Sequence, residues 1–356
     1  MIPSVLAQHV RRGVEDFLRT TFPVSTPFFA GCLERLLASE GEVFKGPYLS
    51  LQPRPKESRR ETAFFSAIPF GFRPYLHQEE AFDRLSGPHF RSTIIATGTG
   101  SGKTECFLYP ILDYCYRHRG EPGIKALLVY PMNALAMDQA GRIARAIHGN
   151  SELKGNVSAG LYVGRREHDP CKVMGPNTVI SDKEKLRLSP PDILLTNYKM
   201  LDYLLIRPRD YPLWKQNSPD TLRYLVVDEL HTFDGAQGTD LACLIRRLKA
   251  RLNTPRETLC CVGTSATLGS PEEQEGILEY ARKLFGEPLD QDALIKESSL
   301  SAGEFLEQSL ITRLGIIPVE EAGKLNPNTY EDYTAYVRAQ HELWFGETIE
   351  PEQFSK

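Results

Sequence analysis

The chain has 356 residues, 41% of them hydrophobic and 25% charged, the balance of a soluble globular protein with enough apolar side chains for a sizeable core. At roughly 150 residues per domain this suggests two domains or one elaborated domain, and it excludes a mostly disordered chain, a coiled coil and a small disulfide-held scaffold. Against 42 Lys+Arg stand 46 Asp+Glu, a net charge of −4; residues 301–356 hold ten acids and four bases, which leaves the rest at +2, compatible with a local phosphate-binding groove.

In chain order, Val5, Leu6, Val10, Val14, Phe17, Leu18 and Phe22 recur at helical spacing and predict an amphipathic N-terminal helix that Pro23 and Pro27 end. Arg11, Arg12, Glu15 and Asp16 interrupt it, unlike a signal-peptide core. No later stretch approaches the ~20 apolar residues that span a bilayer, so the expectation is a cytoplasmic chain without a membrane segment. The Pro- and Arg-rich stretch LQPRPKESRRE (51–61) reads as an exposed linker. Residues 1–70 are thus taken as an accessory segment.

From about Phe72 the pattern becomes strand, loop, helix, repeated. Strand-like runs fall at Ser92–Thr97, Lys125–Tyr130, Val157–Val163, Asp192–Thr196, Arg223–Asp228 and Thr258–Thr264, with helical segments such as Thr104–Tyr116, Leu135–Ile147 and Thr239–Leu252 between them. Continuous apolar strands alternating with helices predict an α/β fold, a mostly parallel sheet covered by helices on both faces, whose ligands lie at the carboxyl ends of the strands. After Leu268 the pattern weakens to one helix over 271–286 and an irregular acidic segment, so 71–270 is the expected body and 271–356 a C-terminal segment. Seven scattered cysteines without a C-x-x-C pair read as free thiols with no structural metal, Cys260-Cys261 as buried packing.

Two motifs carry chemistry. In IIATGTGSGKTE (94–105) an apolar strand runs into a Gly-rich loop, then a helix. Backbone N–H groups around Thr99, Gly100, Ser101 and Gly102 can wrap phosphates, Lys103 offers a point charge to the β/γ-phosphates, and Thr104 presents a hydroxyl to Mg²⁺. In RYLVVDELHTF (223–233) a strand ends in two carboxylates and a histidine, with Asp228 lying 125 residues after Lys103. Asp228 suits the Mg²⁺ shell, Glu229 the orientation or deprotonation of an attacking water, and His231 the γ-phosphate side. Alone, such an acidic pair also serves as a helix cap or solvated turn.

Together these motifs resemble the first RecA-like lobe of a superfamily 2 (DEAD/DEAH-like) DNA helicase, in which the P-loop position of Thr97 is usually Ala. The resemblance covers about 72–270 and implies a RecA-like P-loop domain that uses ATP and Mg²⁺ and binds DNA. GFRPYLHQEEAF (71–82) resembles the adenine-reading segment, with Gln78 at the base edge and Tyr75 or Phe72 beside it, although Gln78 could equally cap a helix. VYPMNALAMDQ (129–139) and LLTNYKMLDYLL (194–205) resemble nucleic-acid-contacting motifs, which puts Pro131, Asn133, Thr196 and Asn197 on the strand's phosphates. GTSATL (263–268) resembles the Ser-Ala-Thr motif, with Ser265 and Thr267 coupling nucleotide to strand movement. Arg165 and Arg166 are the preferred basic extension of that track, ahead of Arg54, Lys56, Arg59 and Arg60 and of Arg246, Arg247, Lys249 and Arg251.

The wording ATGTGSGKTECFLYPIL, YPMNALAMDQA and DELHTFDGAQGTDLACLIRRLKARL is similar to large repair- and defence-associated helicases, the Druantia type among them, which implies anti-phage defence with partner proteins. Such motors need a second lobe carrying Q-x-x-G-R-x-x-R. The string Gln139-Ala140-Gly141-Arg142-Ile143-Ala144-Arg145 is one residue short and reads as a helix of the first lobe, so the expectation is a fragment of a longer enzyme, poorly active alone. Two other classes compete: a nucleotide-switched scaffold or loading module that recruits partners without unwinding, and a small-molecule P-loop kinase.

Overall fold

The computed structural model describes residues 3–24, 26–39, 43–44, 54–60, 63–69, 73–98, 100–164, 170–266, 270–301, 304, 319–346 and 348. The chain divides into two units, one of Met1–Arg54 with Leu300–Lys356, the other Pro55–Ser299.

In the first unit the amphipathic N-terminus forms α1 (Pro3–Thr21), followed by a 3-10 turn at Pro27–Phe29 and α2 (Cys32–Ala38). Its C-terminal part contributes a helix at Tyr333–Phe345, which Asp332 caps by accepting from Ala335 N–H. Leu6, Val10 and Phe17 of the α1 stripe are exposed. Among the described residues, no helix is long and apolar enough to cross a membrane.

The second unit is built on seven parallel strands: β1 (Thr93–Ala96), β2 (Ala126–Tyr130), β3 (Ala159–Tyr162), β4 (Ile193–Asn197), β5 (Tyr224–Val227), β6 (Cys260–Ser265) and β7 (Leu294–Lys296). Their order is β3-β4-β2-β5-β6-β1-β7. All six strands expected from apolar runs are present. β7 escapes the pattern because three residues, paired to β1 through Ile94↔Leu294 and Ile95↔Ile295, are too few to show a period.

Successive strand side chains point to opposite faces, and here each face meets helices. Ala126, Leu128, Tyr130, Tyr224, Val226 and Cys260 pack with α3 (Leu76–Leu85), α4 (Lys103–Arg117) and α5 (Asn133–His148). Leu127, Val129, Leu225, Val227 and Cys261 pack with α6 (Lys183–Leu188), α7 (Tyr198–Ile206), α8 (Gly235–Leu252) and α9 (Pro271–Phe285). The adjacent cysteines therefore enter opposite cores, as free thiols.

Residues 55–58 are no exposed linker. Pro55 and Glu57 bridge to Ser299 and Tyr75, Lys56 N–H donates to Ser298 C=O at 2.7 Å, and Ser58 N–H donates to Pro74 C=O at 2.8 Å. Main-chain pairing does this, and composition does not report on it.

At the opposite edge from the strand carboxyl ends, Lys125 is almost fully buried (1% exposed) and its Nζ donates to Asp192 Oδ1 at 2.6 Å. Asp192 Oδ2 also accepts from Ser158 N–H and Oγ at 2.7 Å, locking β2, β3 and β4 together. Removing one partner of such a pair strands a buried charge. Asp192→Ala is expected to destabilise this unit by about 3 kcal/mol, read as a lower urea midpoint from the fluorescence of buried Trp214; an unchanged midpoint would contradict the account.

Candidate active site

The strand order places β6 between β1 and β5, with Ala96 opposite Ser265 and Val227 opposite Gly263. At about 4.8 Å per strand, the ends of β1 and β5 lie about 10 Å apart. The Gly-rich loop leaves one and Asp228-Glu229 the other. The dipeptide at the end of β6 joins them. Thr264 Oγ1 donates to Asp228 Oδ1 at 2.5 Å and accepts from Glu229 N–H at 3.0 Å. Lys103 Nζ donates to Ser265 C=O at 2.7 Å. Ser265 Oγ lies 3.4 Å from His231 Nδ1, which is itself 3.4 Å from Glu229 Oε2. Glu229 has φ 52, in the left-handed region that non-glycine residues seldom adopt.

The loop is gripped from α3. His77 Nε2 donates to Ser101 C=O at 2.9 Å, and Gln78 Nε2 donates to Gly102 C=O at 3.1 Å. In a trans peptide the N–H points opposite to the C=O, so the Gly102 and Lys103 N–H groups face away from these two side chains. Gln78 is also the cap that its position suggests, its Oε1 accepting from Tyr75 N–H at 2.9 Å. Only glycine fits at 102: φ is 80, and a Cβ would lie 2.2 Å from Gln78 Nε2. Ser101 Oγ closes the loop onto Thr97 Oγ1 and Gly98 C=O, each at 2.8 Å, and Gly98 N–H donates to Glu297 Oε2 at 3.1 Å. Burial pushes the His77 imidazole below its ordinary pKa, against the Ser101 hydrogen bond and the Glu297 charge.

These groups share one cleft of about 780 Å³, with Gly100, Gly102, Lys103 and Thr104 on one side, Asp228 and Glu229 on another, and Tyr75 and Gln78 beyond. Burial raises the Asp228 carboxyl above its ordinary pKa; the Thr264 hydrogen bond opposes this, the Glu229 charge adds to it, and Lys103 opposes it. A glycine-lined loop at a helix amino end, an ammonium, a hydroxyl and a half-buried carboxylate form a donor set that fits a polyphosphate with a hard divalent cation. Among the described residues no group of three or more His, Cys, Asp or Glu could hold a metal by itself, so such a cation would be shared between Thr104, Asp228, phosphate and water.

Asn133 and Asn197 come together at the ends of β2 and β4, where Asn197 Nδ2 donates to Asn133 Oδ1 and Asn197 Oδ1 caps α7 through Met200 N–H. Pro131 stands half-buried beside them, and Met132 next to it is exposed. Thr196 departs from expectation. It is fully buried, its hydroxyl donates to Tyr162 C=O at 2.7 Å, and its side chain supports this edge from beneath. The α8 cations are satisfied within the protein: Arg246 by Ala242 and Lys283 carbonyls, Arg247 by Asp202, Lys249 by Glu287, and Arg251 over the Tyr211 ring. Phe72, Thr99, Arg165, Arg166 and Thr267 lie outside the described residues. Sequence reasoning missed Thr264, Glu297 and Arg142, whose guanidinium meets Thr104 and Glu105. A threonine directly before the Ser-Ala-Thr string was the one available signal.

Leu230 of the DELH segment is fully buried against β6, where a Cβ on Gly263 would lie 1.8 Å from Leu230 Cδ1 and 2.9 Å from Ile94 Cδ1. Gly263→Ala is expected to cost about 1–3 kcal/mol by overpacking, seen in urea denaturation, with partial recovery in the Gly263→Ala/Leu230→Ala double variant. Additive losses would show that the two positions do not press on each other.

Residues 75–275 match the DEAD/DEAH box helicase family. The Druantia protein DruE of Escherichia coli (strain UMEA 4076-1) is 31% identical over 338 residues, which cover 67% of this chain and 18% of DruE. The uncharacterized ATP-dependent helicase MJ1574 of Methanocaldococcus jannaschii is 29% identical over 206 residues, 57% of this chain and 27% of that protein. Among solved structures, the DUF1998 helicase MrfA bound to DNA and AMPPNP aligns with a TM-score of 0.52 at 26% identity, covering 70% of this chain and 31% of that chain. The chain spans less than a third of each of these relatives. With a RecA-like parallel sheet and more than half of its length matched, the chain belongs to the DEAD/DEAH box helicase family.

Proposed function

We propose that this chain is the ATP-binding lobe of an ATP-dependent superfamily 2 DNA helicase or translocase that works in the cytoplasm in anti-phage defence. The observation that carries the reading is that Lys103 and Asp228 line one cleft and are tied to adjacent residues of β6. MrfA, bound to DNA and AMPPNP, supports nucleotide and DNA as ligands, and the likeness to a Druantia protein supports the defence role and partner proteins from such a system.

In this reading the N–H groups of residues 99–104 and the Lys103 ammonium attract the triphosphate, and Gln78 and Tyr75 flank the adenine. Thr104 and Asp228 would hold Mg²⁺, which would supply neutralisation of the phosphate charge. Glu229 orients the water and accepts its proton, and His231 and Ser265, within 3.4 Å of each other, relay the change toward Thr267. Pro131, Asn133 and Asn197, with Thr196 beneath them and Arg165 and Arg166 extending the track, hold backbone phosphates of one strand, which allows stepping on any sequence.

In the whole protein, Lys103→Ala should weaken ATP binding at least tenfold. Glu229→Gln should keep ATP affinity within about threefold while lowering single-stranded-DNA-stimulated turnover by about 10²–10⁴. An equal loss of ATP binding in both variants contradicts the assigned roles.

A further inference from the structure

The nucleotide reading leaves two cations of the cleft, Arg73 and Arg142, without a task, and Arg142 is the one that bonds to a proposed cation ligand. On α5, Leu135, Gln139 and Arg142 recur at four and three residues and line the cleft, while Ala136, Ala140, Ile143, Ala144 and Ile147 are buried in the core. The Arg142 side chain is 37% exposed, and its guanidinium divides between two neighbours: one nitrogen donates to Thr104 Oγ1 at 3.3 Å, the other to Glu105 Oε1 at 2.6 Å. The other oxygen of that carboxylate, Glu105 Oε2, is buried and has no hydrogen-bond partner among the described residues.

The chemistry of this fork is specific. A hydroxyl oxygen has two lone pairs; Arg142 takes one from Thr104, which fixes the side chain and leaves the second for a cation. A carboxylate one residue away is a harder and stronger ligand than a hydroxyl, and Arg142 holds it by a charge-assisted bond. A planar guanidinium serves the two partners from two separate nitrogens in a rigid fork, whereas an ammonium would have to bring both within reach of one nitrogen on a flexible stem.

Resting on the nucleotide reading above, we propose that Arg142 is a positioning residue for the cation half of the site, presetting the Thr104 hydroxyl and withholding the Glu105 carboxylate from Mg²⁺. Its two side-chain hydrogen bonds go to Thr104 and Glu105, and it acts through them. Its effect therefore belongs to the Mg²⁺-dependent part of nucleotide binding alone.

The test is binding of a fluorescent ATP analogue to the full chain, in EDTA and across a Mg²⁺ titration, for the unsubstituted protein, Arg142→Met and Arg142→Lys. Arg142→Met should keep the EDTA affinity within about twofold and lose about tenfold of the gain that Mg²⁺ brings, the size expected for partners that orient a metal's ligands. Arg142→Lys, which keeps the charge but not the fork, should lose about threefold, and it carries the test if circular dichroism shows Arg142→Met unfolded. An undiminished Mg²⁺ gain in the variants, an equal fall in both arms, or no Mg²⁺ gain in the unsubstituted chain overturns the proposal alone. Binding that Lys103→Ala leaves unchanged overturns the nucleotide reading, and this proposal with it.

Discussion

The site depends on one strand end. β6 lies between the strands that deliver the Gly-rich loop and the acidic pair, and its last two residues bond in both directions: Thr264 to Asp228 and Glu229, Ser265 to Lys103. A parallel sheet allows this because all strands point the same way, so three loops open on one edge within about 10 Å. The seat of the turn after β5 on β6 rests on absent atoms. Gly263 has no Cβ, and Leu230 fills that space.

Orientation of the loop follows a complementary rule. Two of its carbonyls accept from His77 and Gln78 on α3, and peptide planarity turns the following N–H groups away from α3. A loop whose carbonyls already have protein donors presents amides to an anion without rearranging. Glu297, one residue beyond β7, fixes the loop's stem through Gly98 N–H, so the edge strand has a role at the site as well as in the sheet.

Much of this was legible in the sequence, because fixed spacing carries it. Apolar runs reported six strands, and the Gly-rich loop and the acidic pair each follow one of them. What the sequence hid depends on groups without a spacing. The strap at 55–58 is held by main-chain bonds beneath a Pro- and Arg-rich composition that suggests solvent. Thr196 sits in a motif-like string, yet strand alternation turns it inward to Tyr162. Arg142 reads as part of a false arginine motif, and only the packing of α5 on the sheet brings it to Thr104. Gln78 meets the capping reading and adds a bond without a spacing signal: the two ends of its one amide cap α3 and hold the Gly102 carbonyl.

The carboxylates of the cleft explain why so many neighbours are needed. Asp228, Glu229 and Glu105 line it with Lys103 and Arg142, and like charges this close raise one another's cost. Each of these three acids has a polar neighbour: Asp228 the Thr264 hydroxyl, Glu105 the guanidinium of Arg142, and Glu229 the His231 ring at 3.4 Å. These partners stand on β6, on α5 and in the short turn after β5, elements fixed by the two cores on either side of the sheet. Charges held in advance by packed elements need little reorganisation when a ligand's charges arrive, which is the electrostatic form of preorganisation. The same packing that buries Leu230 and Ile143 therefore sets where charge can be stabilised in the cleft, and the chemistry of the site is inseparable from the order of the strands beneath it.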